Sequence, residues 1–273
     1  MDRHRQPVRR RGSLRTRFDF DDVVYGIHAI EESLAAGERL RAIHVASDRK
    51  KDAMLRQLLG QAKELNVPVR FDDRSFFAQF PFKAHQGVVA VGEPFQYRSL
   101  HDVLGAPRRD GSPRFFVVLD HLTDPHNVGA IVRTAEAAGA DALLLPERRS
   151  AGMNATVRKA AAGAAAHLPI ARVANVADAI RVMKKSGIWI AGADAGPASI
   201  EMSKADMTVD LALVLGAEGS GLAPLVKREC DYLVRIPMHG KMESLNASVA
   251  FAILAYEALR QRSRTRSTAR RDP

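Results

Sequence analysis

Apolar positions along this chain fall into two periods, and the order in which those periods alternate predicts the fold class. Tyr25-Gly26-Ile27-His28-Ala29-Ile30 leads into an amphipathic helix that stops near Gly37. Ala42-Ile43-His44-Val45-Ala46 reads as a buried strand. Met54, Leu55, Leu58, Leu59 and Leu65 then recur at helical spacing over 52–65. Val67-Pro68-Val69 and Gly87-Val88-Val89-Ala90-Val91 are two more short strands. This alternation makes a small α/β domain, placed at 18–97. Gly105, Pro107, Arg108, Arg109, Gly111 and Pro113 give 98–113 the composition of a linker.

A second α/β domain is expected over 114–262. Phe115-Phe116-Val117-Val118-Leu119 is apolar without alternation, as in a parallel strand covered on both faces. A loop and a helix follow to about Ala138, then a strand at Ala142-Leu143-Leu144-Leu145. Further strands are expected at 168–172, 188–193, 211–215 and 232–236. A last helix at 246–261 carries Val249, Ile253, Leu254 and Leu259 at helical intervals.

Charge changes the picture at the two ends. The chain has 273 residues and a formal net charge of +10. Residues 1–17 hold seven Arg and one Asp, and residues 260–273 hold six Arg and one Asp. The ends thus contribute +6 and +5, leaving 10 − 11 = −1 for the remainder. Residues 1–17, with Arg9, Arg10 and Arg11 at their centre, read as a basic disordered arm that meets phosphates. Residues 263–273 read as a basic tail. Solubility alone, or an organellar presequence at the N-terminus, is the alternative. The single cysteine, Cys230, excludes a disulfide framework within one chain. No apolar run reaches spanning length, so no membrane partner is expected and a reducing, cytoplasmic compartment is the simplest assignment.

Three loops carry candidate chemistry, each after a strand of the second domain, where ligands of parallel α/β sheets bind. The first, Asp120 to Thr134, places Asp124 and Pro125 at a helix start with Asn127, Gly129 and Arg133 beyond. Six positions separate Asn127 from Arg133, so the two reach different parts of a pocket. The second, Leu215-Gly216-Ala217-Glu218-Gly219-Ser220-Gly221, has neither dinucleotide nor P-loop spacing. The third runs from Arg235 to Ser248 and includes Ile236, Met238, Ser244, Leu245 and Asn246. Ser244 is read there as opening the last helix, with helix capping as the alternative to chemistry for both Ser244 and Asn246. His121, His126, His167 and His239 lack the further ligands that a metal set requires, so no metal is expected.

Taken together, the three loops resemble motifs 1, 2 and 3 of the SpoU/TrmH group of SPOUT methyltransferases. The resemblance extends to Arg149-Ser150-Ala151-Gly152-Met153-Asn154-Ala155-Thr156 and to Gly187-Ile188-Trp189-Ile190-Ala191-Gly192. Tyr25 to Ile30 and His85-Gln86-Gly87-Val88-Val89-Ala90 resemble the L30e-like substrate-binding domain of the same group. The two-domain layout is most similar to the bacterial 23S rRNA guanosine-2′-O-methyltransferases. The resemblance implies a trefoil-knotted, mainly parallel C-terminal domain, a homodimer, and S-adenosylmethionine held by loops 2 and 3. Leu215, Gly216, Gly221, Ile236, Met238, Ser244, Leu245 and Ala193 are the implied cofactor contacts. Asn127, Arg133, Glu218, Ser244 and Asn246 are the implied catalytic set. Asn154 and Arg158, on the following helix, are candidates for RNA contact, with a solvated helix face as the alternative.

The implied reaction is 2′-O-methylation of a ribose, most simply a guanosine of 23S rRNA. A guanidinium is charged at any working pH, so Arg133 suits phosphate binding or alkoxide stabilisation better than proton removal. Glu218 is then either the proton acceptor or the residue that orients Asn127 and Arg133. A tRNA or antibiotic-resistance rRNA methylase is the alternative within the family. A non-catalytic RNA-binding or ribosome-assembly factor is the alternative outside it.

Overall fold

The computed structural model describes residues 22–35, 37–50, 52–80, 85–108, 111–242 and 244–269. Arg9, Arg10 and Arg11 lie outside them. The chain divides into two units between Glu93 and Pro94.

The described residues of the first unit form a four-stranded sheet with three α-helices. Strands β1 (Val23–Tyr25), β2 (Leu40–Ala46), β3 (Val69–Asp72) and β4 (Val88–Gly92) lie in the order β1-β4-β2-β3. β4 runs antiparallel to β1 and β2, and β2 pairs with β3 in parallel. Helices α1 (Ile27–Ala35), α2 (Arg56–Glu64) and α3 (Arg74–Phe77) connect them. β1 is an extra strand where the pattern predicted only a lead into a helix. His44 is buried on β2 with Nδ1 2.7 Å from an Asp72 oxygen.

The second unit is a seven-stranded sheet in which every neighbouring pair is parallel. Its strands are β5 (Phe115–Leu119), β6 (Ala142–Pro146), β7 (Ile170–Val173), β8 (Trp189–Ala193), β9 (Ile200–Glu201), β10 (Leu211–Leu215) and β11 (Tyr232–Arg235). They lie in the order β7-β6-β5-β10-β8-β11-β9. Side chains alternate between two apolar layers. Phe115, Val117 and Leu119 enter one, and Phe116 and Val118 enter the other. Burial on both faces is why β5 and β10 are apolar without interruption. Helices α5 (Pro125–Ala137), α6 (Ala155–Ala161) and α9 (Ala247–Ala269) contribute to the first layer. Helices α4 (Leu100–Gly105), α7 (Val176–Lys185) and α8 (Pro224–Glu229) contribute to the second.

Three expectations are corrected. The stretch 98–113 is not a free linker: Arg98 bridges to Ala171 of β7, and α4 buries Val103 in the core. Ser99 and Asp102 close a reciprocal capping box that starts α4. The last helix opens at Ala247 rather than at Ser244, since Asn246 supplies the cap. That helix also runs on to Ala269, so most of the expected basic tail continues α9. Arg is a good helix former, and Arg262 anchors the helix by donating to the carbonyls of Met207, Pro113, Arg114 and Val209.

Candidate functional site

Loop 1 begins where β5 ends. Asp120 is fully buried, and its Oδ2 accepts from the Ala223 amide at 2.7 Å. Its Oδ1 meets His121 Nδ1, and His121 holds a left-handed φ of +62°. Asp124 then caps α5 by accepting from His126 N at 2.9 Å, with Pro125 at the first helical position. That start places Asn127 in the first turn, buried. Gly129 lies two positions further on, where α5 presses on α6. A Cβ there would stand 2.4 Å from Ala160 Cβ and 2.6 Å from Val157 O.

Loop 2 doubles back on itself after β10. Ala217 and Gly221 exchange both backbone hydrogen bonds, at 3.1 and 2.9 Å. Gly219 and Gly221 take φ of +76° and +66°, which suits glycine. Gly216 is required for another reason: a Cβ on it would lie 2.1 Å from Gly221 C and 2.3 Å from Leu222 N. The turn lifts Glu218 toward the start of α9.

Three side chains from the three loops meet there. Glu218 Oε1 accepts from Asn127 Nδ2 at 2.8 Å, from Asn246 Nδ2 at 2.8 Å and from the Ala247 amide at 3.4 Å. Asn246 Nδ2 also donates to Asn127 Oδ1 at 3.0 Å. Asn246 Oδ1 faces the other way and accepts from the Ser248 and Val249 amides at 3.0 and 3.4 Å. Asn246 is thus both helix cap and network member. The amide orientation follows, since only its oxygen can face those N–H groups. A carboxylate at the positive end of a 23-residue helix is also favourably placed.

The other candidates distribute along the carboxyl edge of the sheet. Ala193, Leu215 and Ile236 end or follow β8, β10 and β11, which are neighbours. Met238, Ser244 and Leu245 sit on the exposed loop 3. Arg133 is exposed on α5 and, among the described residues, makes no hydrogen bond or ion pair. It does not join the trio. Asn154 is the N-cap of α6, accepting from Val157 N at 3.0 Å, which accounts for it without RNA. Arg158 follows on α6, half-buried. Among the described residues no group of three or more His, Cys, Asp or Glu could hold a metal ion.

Two supports escaped the sequence reading. Asp120 is one, although an Asp closing an apolar strand was its visible signal. The other is Asp194, directly after β8. Its Oδ2 accepts from Gly196 N and Ser199 Oγ at 3.0 and 3.1 Å, and its Oδ1 from Lys227 Nζ at 2.8 Å. Burial opposes ionisation of Asp194, but Lys227 and the two neutral donors outweigh it and hold the carboxyl below its ordinary value. The loop that follows Ala193 is thereby fixed.

The fit to S-adenosylmethionine is tested by loop 2. Gly219 and Gly221 lie exposed at the carboxyl edge of the parallel sheet, and Ile236 and the exposed Met238 follow β11 on the same edge as apolar groups a ligand can reach. The donor set suits an organic cofactor held by main chain.

A profile of the SpoU rRNA methylase family matches residues 114–256. A profile for RNA 2′-O ribose methyltransferase substrate binding matches residues 23–98. The chain is 40% identical over 242 residues to YacO of Bacillus subtilis, assigned to the TrmH family of tRNA/rRNA methyltransferases, covering 89% of this chain and 96% of that one. Among solved structures it is similar to the SpoU methyltransferase AviRb from Streptomyces viridochromogenes in complex with AdoMet. That match has a TM-score of 0.61, 28% identity, and coverage of 88% and 90%. It is also similar to an AdoMet-bound rRNA methyltransferase from Sinorhizobium meliloti, with a TM-score of 0.59, 26% identity, and coverage of 87% and 86%.

Proposed function

The chain belongs to the SpoU/TrmH family of RNA methyltransferases, and from that premise we propose that it methylates a ribose 2′-OH of ribosomal RNA, a guanosine of 23S rRNA. The observation that carries the reading is the Asn127–Glu218–Asn246 trio, drawn from three loops onto one edge of the sheet. A non-catalytic RNA binder has no use for such convergence.

S-adenosylmethionine, when bound, supplies the activated methyl group. Gly216, Gly221, Ile236 and Leu245 would hold it through main chain, with Leu215, Met238, Ser244 and Ala193 around them. The remaining work falls to this chain's own groups. A ribose hydroxyl becomes a nucleophile as its proton leaves, so the site must position the oxygen and stabilise developing negative charge. Arg133 projects into solvent with its guanidinium uncommitted, ready for a phosphate or an alkoxide. Glu218 Oε1 is already occupied by three donors, which favours an orienting role over proton removal. Glu218 thus fixes both amides.

The homodimer belongs to the same reading. α9 buries Phe251, Leu254, Ala255 and Ala258 on one side, yet leaves Val249, Tyr256 and Leu259 exposed on the other. That second apolar stripe supports pairing with another copy. The trefoil path is proposed with it, supported by the interleaved strand order. Among the described residues no helix is long and apolar enough to cross a membrane. A cytoplasmic enzyme acting on rRNA is the reading proposed.

The test is mass-spectrometric mapping of 2′-O-methyl sites in rRNA and tRNA from cells with and without the gene. Loss of one rRNA guanosine methylation is expected. Loss confined to tRNA moves the substrate, and no loss removes the enzymatic reading.

A further inference from the structure

The first unit contains a cavity of about 430 Å³ that the reaction site does not use. Its apolar lining comes from Ala46, Phe77 and Ala78, and its polar lining includes Asp48, Arg74 and His85. That volume falls among small-ligand pockets.

Its polar groups are held in place. The His85 ring stacks on Phe77, with centroids 5.4 Å apart and planes at 29°. His85 Nδ1 accepts from the Gly87 amide at 2.9 Å. In the neutral ring the proton therefore sits on Nε2, which is left as a donor. Gln86 and Gly87 take successive left-handed φ of +50° and +69°. A Cβ at Gly87 would come within 3.0 Å of Ala46 Cβ, so the turn lies tight on β2. Arg49 fastens that turn by donating to Gln86 O, and is itself gripped by Asp52 through Nε and Nη2 at 3.0 and 2.5 Å. At the rim, Arg74 is 88% exposed and rests on one oxygen of Asp48, through Nε at 3.1 Å and Nη2 at 2.7 Å. Its guanidinium can turn toward an incoming anion without uncovering a buried charge.

An aromatic surface, a fixed N–H donor and an exposed guanidinium match three features of an unpaired nucleotide: a flat base, an acceptor edge and a phosphate. We propose that this cavity takes one unstacked nucleotide of the RNA substrate, with its base against the His85 ring, which Phe77 backs, and its phosphate at Arg74. The proposal rests on the RNA reading above and deepens it, because it gives the first unit a point of sequence choice.

The test uses the full chain. NMR signals of His85 and of the Ala78 methyl are followed while AMP, GMP, CMP or UMP is added to about 10 mM. Saturable shifts with at least one of them are expected, and Arg74→Ala should weaken that nucleotide about fivefold while leaving the free nucleoside unchanged. Ala78→Trp, at an exposed position on the cavity wall, should lower affinity for substrate RNA about tenfold with an unchanged melting temperature. Arg74→Ala, far out in solvent, provides an independent RNA-binding readout should the Trp variant fold poorly. Absence of shifts with all four nucleotides overturns the proposal. So do shifts given equally by inorganic phosphate, or RNA affinity unchanged in both variants. Calorimetry with S-adenosylmethionine is run in parallel: failure there removes the enzymatic reading and leaves the nucleotide shifts standing.

Discussion

Asn127 donates its side-chain amide to Glu218 across 91 positions of sequence, from Nδ2 to Oε1 at 2.8 Å. Asn246 donates to the same oxygen from the last helix. The charge of Glu218 and its hydrogen-bonding oxygen can be separated by substitution. Glu218→Gln keeps an acceptor oxygen, whereas Glu218→Ala strands two amides. Turnover in Glu218→Gln should fall by less than about tenfold, and in Glu218→Ala by about 10² or more. Single-turnover methyl transfer decides it. Equal loss in both variants makes Glu218 the proton acceptor.

Arg133 is exposed and makes no hydrogen bond or ion pair among the described residues, so its removal should cost the fold little. Arg133→Ala is expected to change stability by less than about 0.5 kcal/mol. Turnover should fall by about 10²- to 10³-fold with cofactor affinity unchanged. Arg133→Lys should also lose turnover, because a point charge cannot reproduce the planar fork. Urea unfolding, calorimetry and kinetics together check this; a fully active Lys variant removes the need for the fork.

Gly216 is closed in by backbone, so Gly216→Ala should force loop 2 apart. Cofactor affinity is expected to fall by about 10²-fold, since a 2.1 Å approach cannot be relieved by a rotamer change. Gly219→Ala provides the contrast. Its Cβ meets nothing within 4 Å, and only the φ of +76° resists it, at about 1 kcal/mol. Calorimetry on both variants should show a large loss for the first and a small one for the second.

Cys230 lies against Gly192, and burial pushes its thiol up to about 12. At pH 8 only about one thiol in 10⁴ is then ionised. Native protein should resist iodoacetamide at pH 8, become reactive only as the pH climbs toward the thiol's own value, and react at once in urea. Mass spectrometry of timed samples reads the difference. Fast alkylation of folded protein would contradict the burial.

The seven Arg of residues 1–17 should act on RNA through counterion release. Deleting the segment is expected to flatten the dependence of log K on log salt by several units, with the sequence preference kept. Filter binding between about 50 and 200 mM salt measures it. An unchanged slope rules out the arm's contribution.

Much of the sheet was legible because its strands are buried on both faces. Phe115–Leu119 and Leu211–Leu215 have no polar position to blur the pattern, and the structure returns both with the predicted bounds. β9 has two residues, too few to show any period. α4 was hidden by the Gly and Pro that follow it, although Ser99 and Asp102 already had the spacing of a capping box. In loop 3 the choice between Ser244 and Asn246 as cap could not be made locally, because both residue types cap well. What decided it was Glu218, which draws Asn246 into place from a distant loop. The resemblance gathered Asn127, Glu218 and Asn246 into one set, but the division of labour within that set depends on distances that no spacing encodes. Asp194, which braces the loop after β8 from behind, had no motif to announce it.

The position of Asn246 has a consequence for the timing of biosynthesis. The segment that completes the trio leaves the ribosome after β11, when more than 200 residues are already outside or in transit. β10 must also enter between β5 and β8, a non-local pairing that is slow to form. A nascent chain can therefore bury most of its sheet while Asn127 and Glu218 still wait for their third member. A stop codon before the last helix would leave the first apolar layer partly uncovered and the centre without its third member.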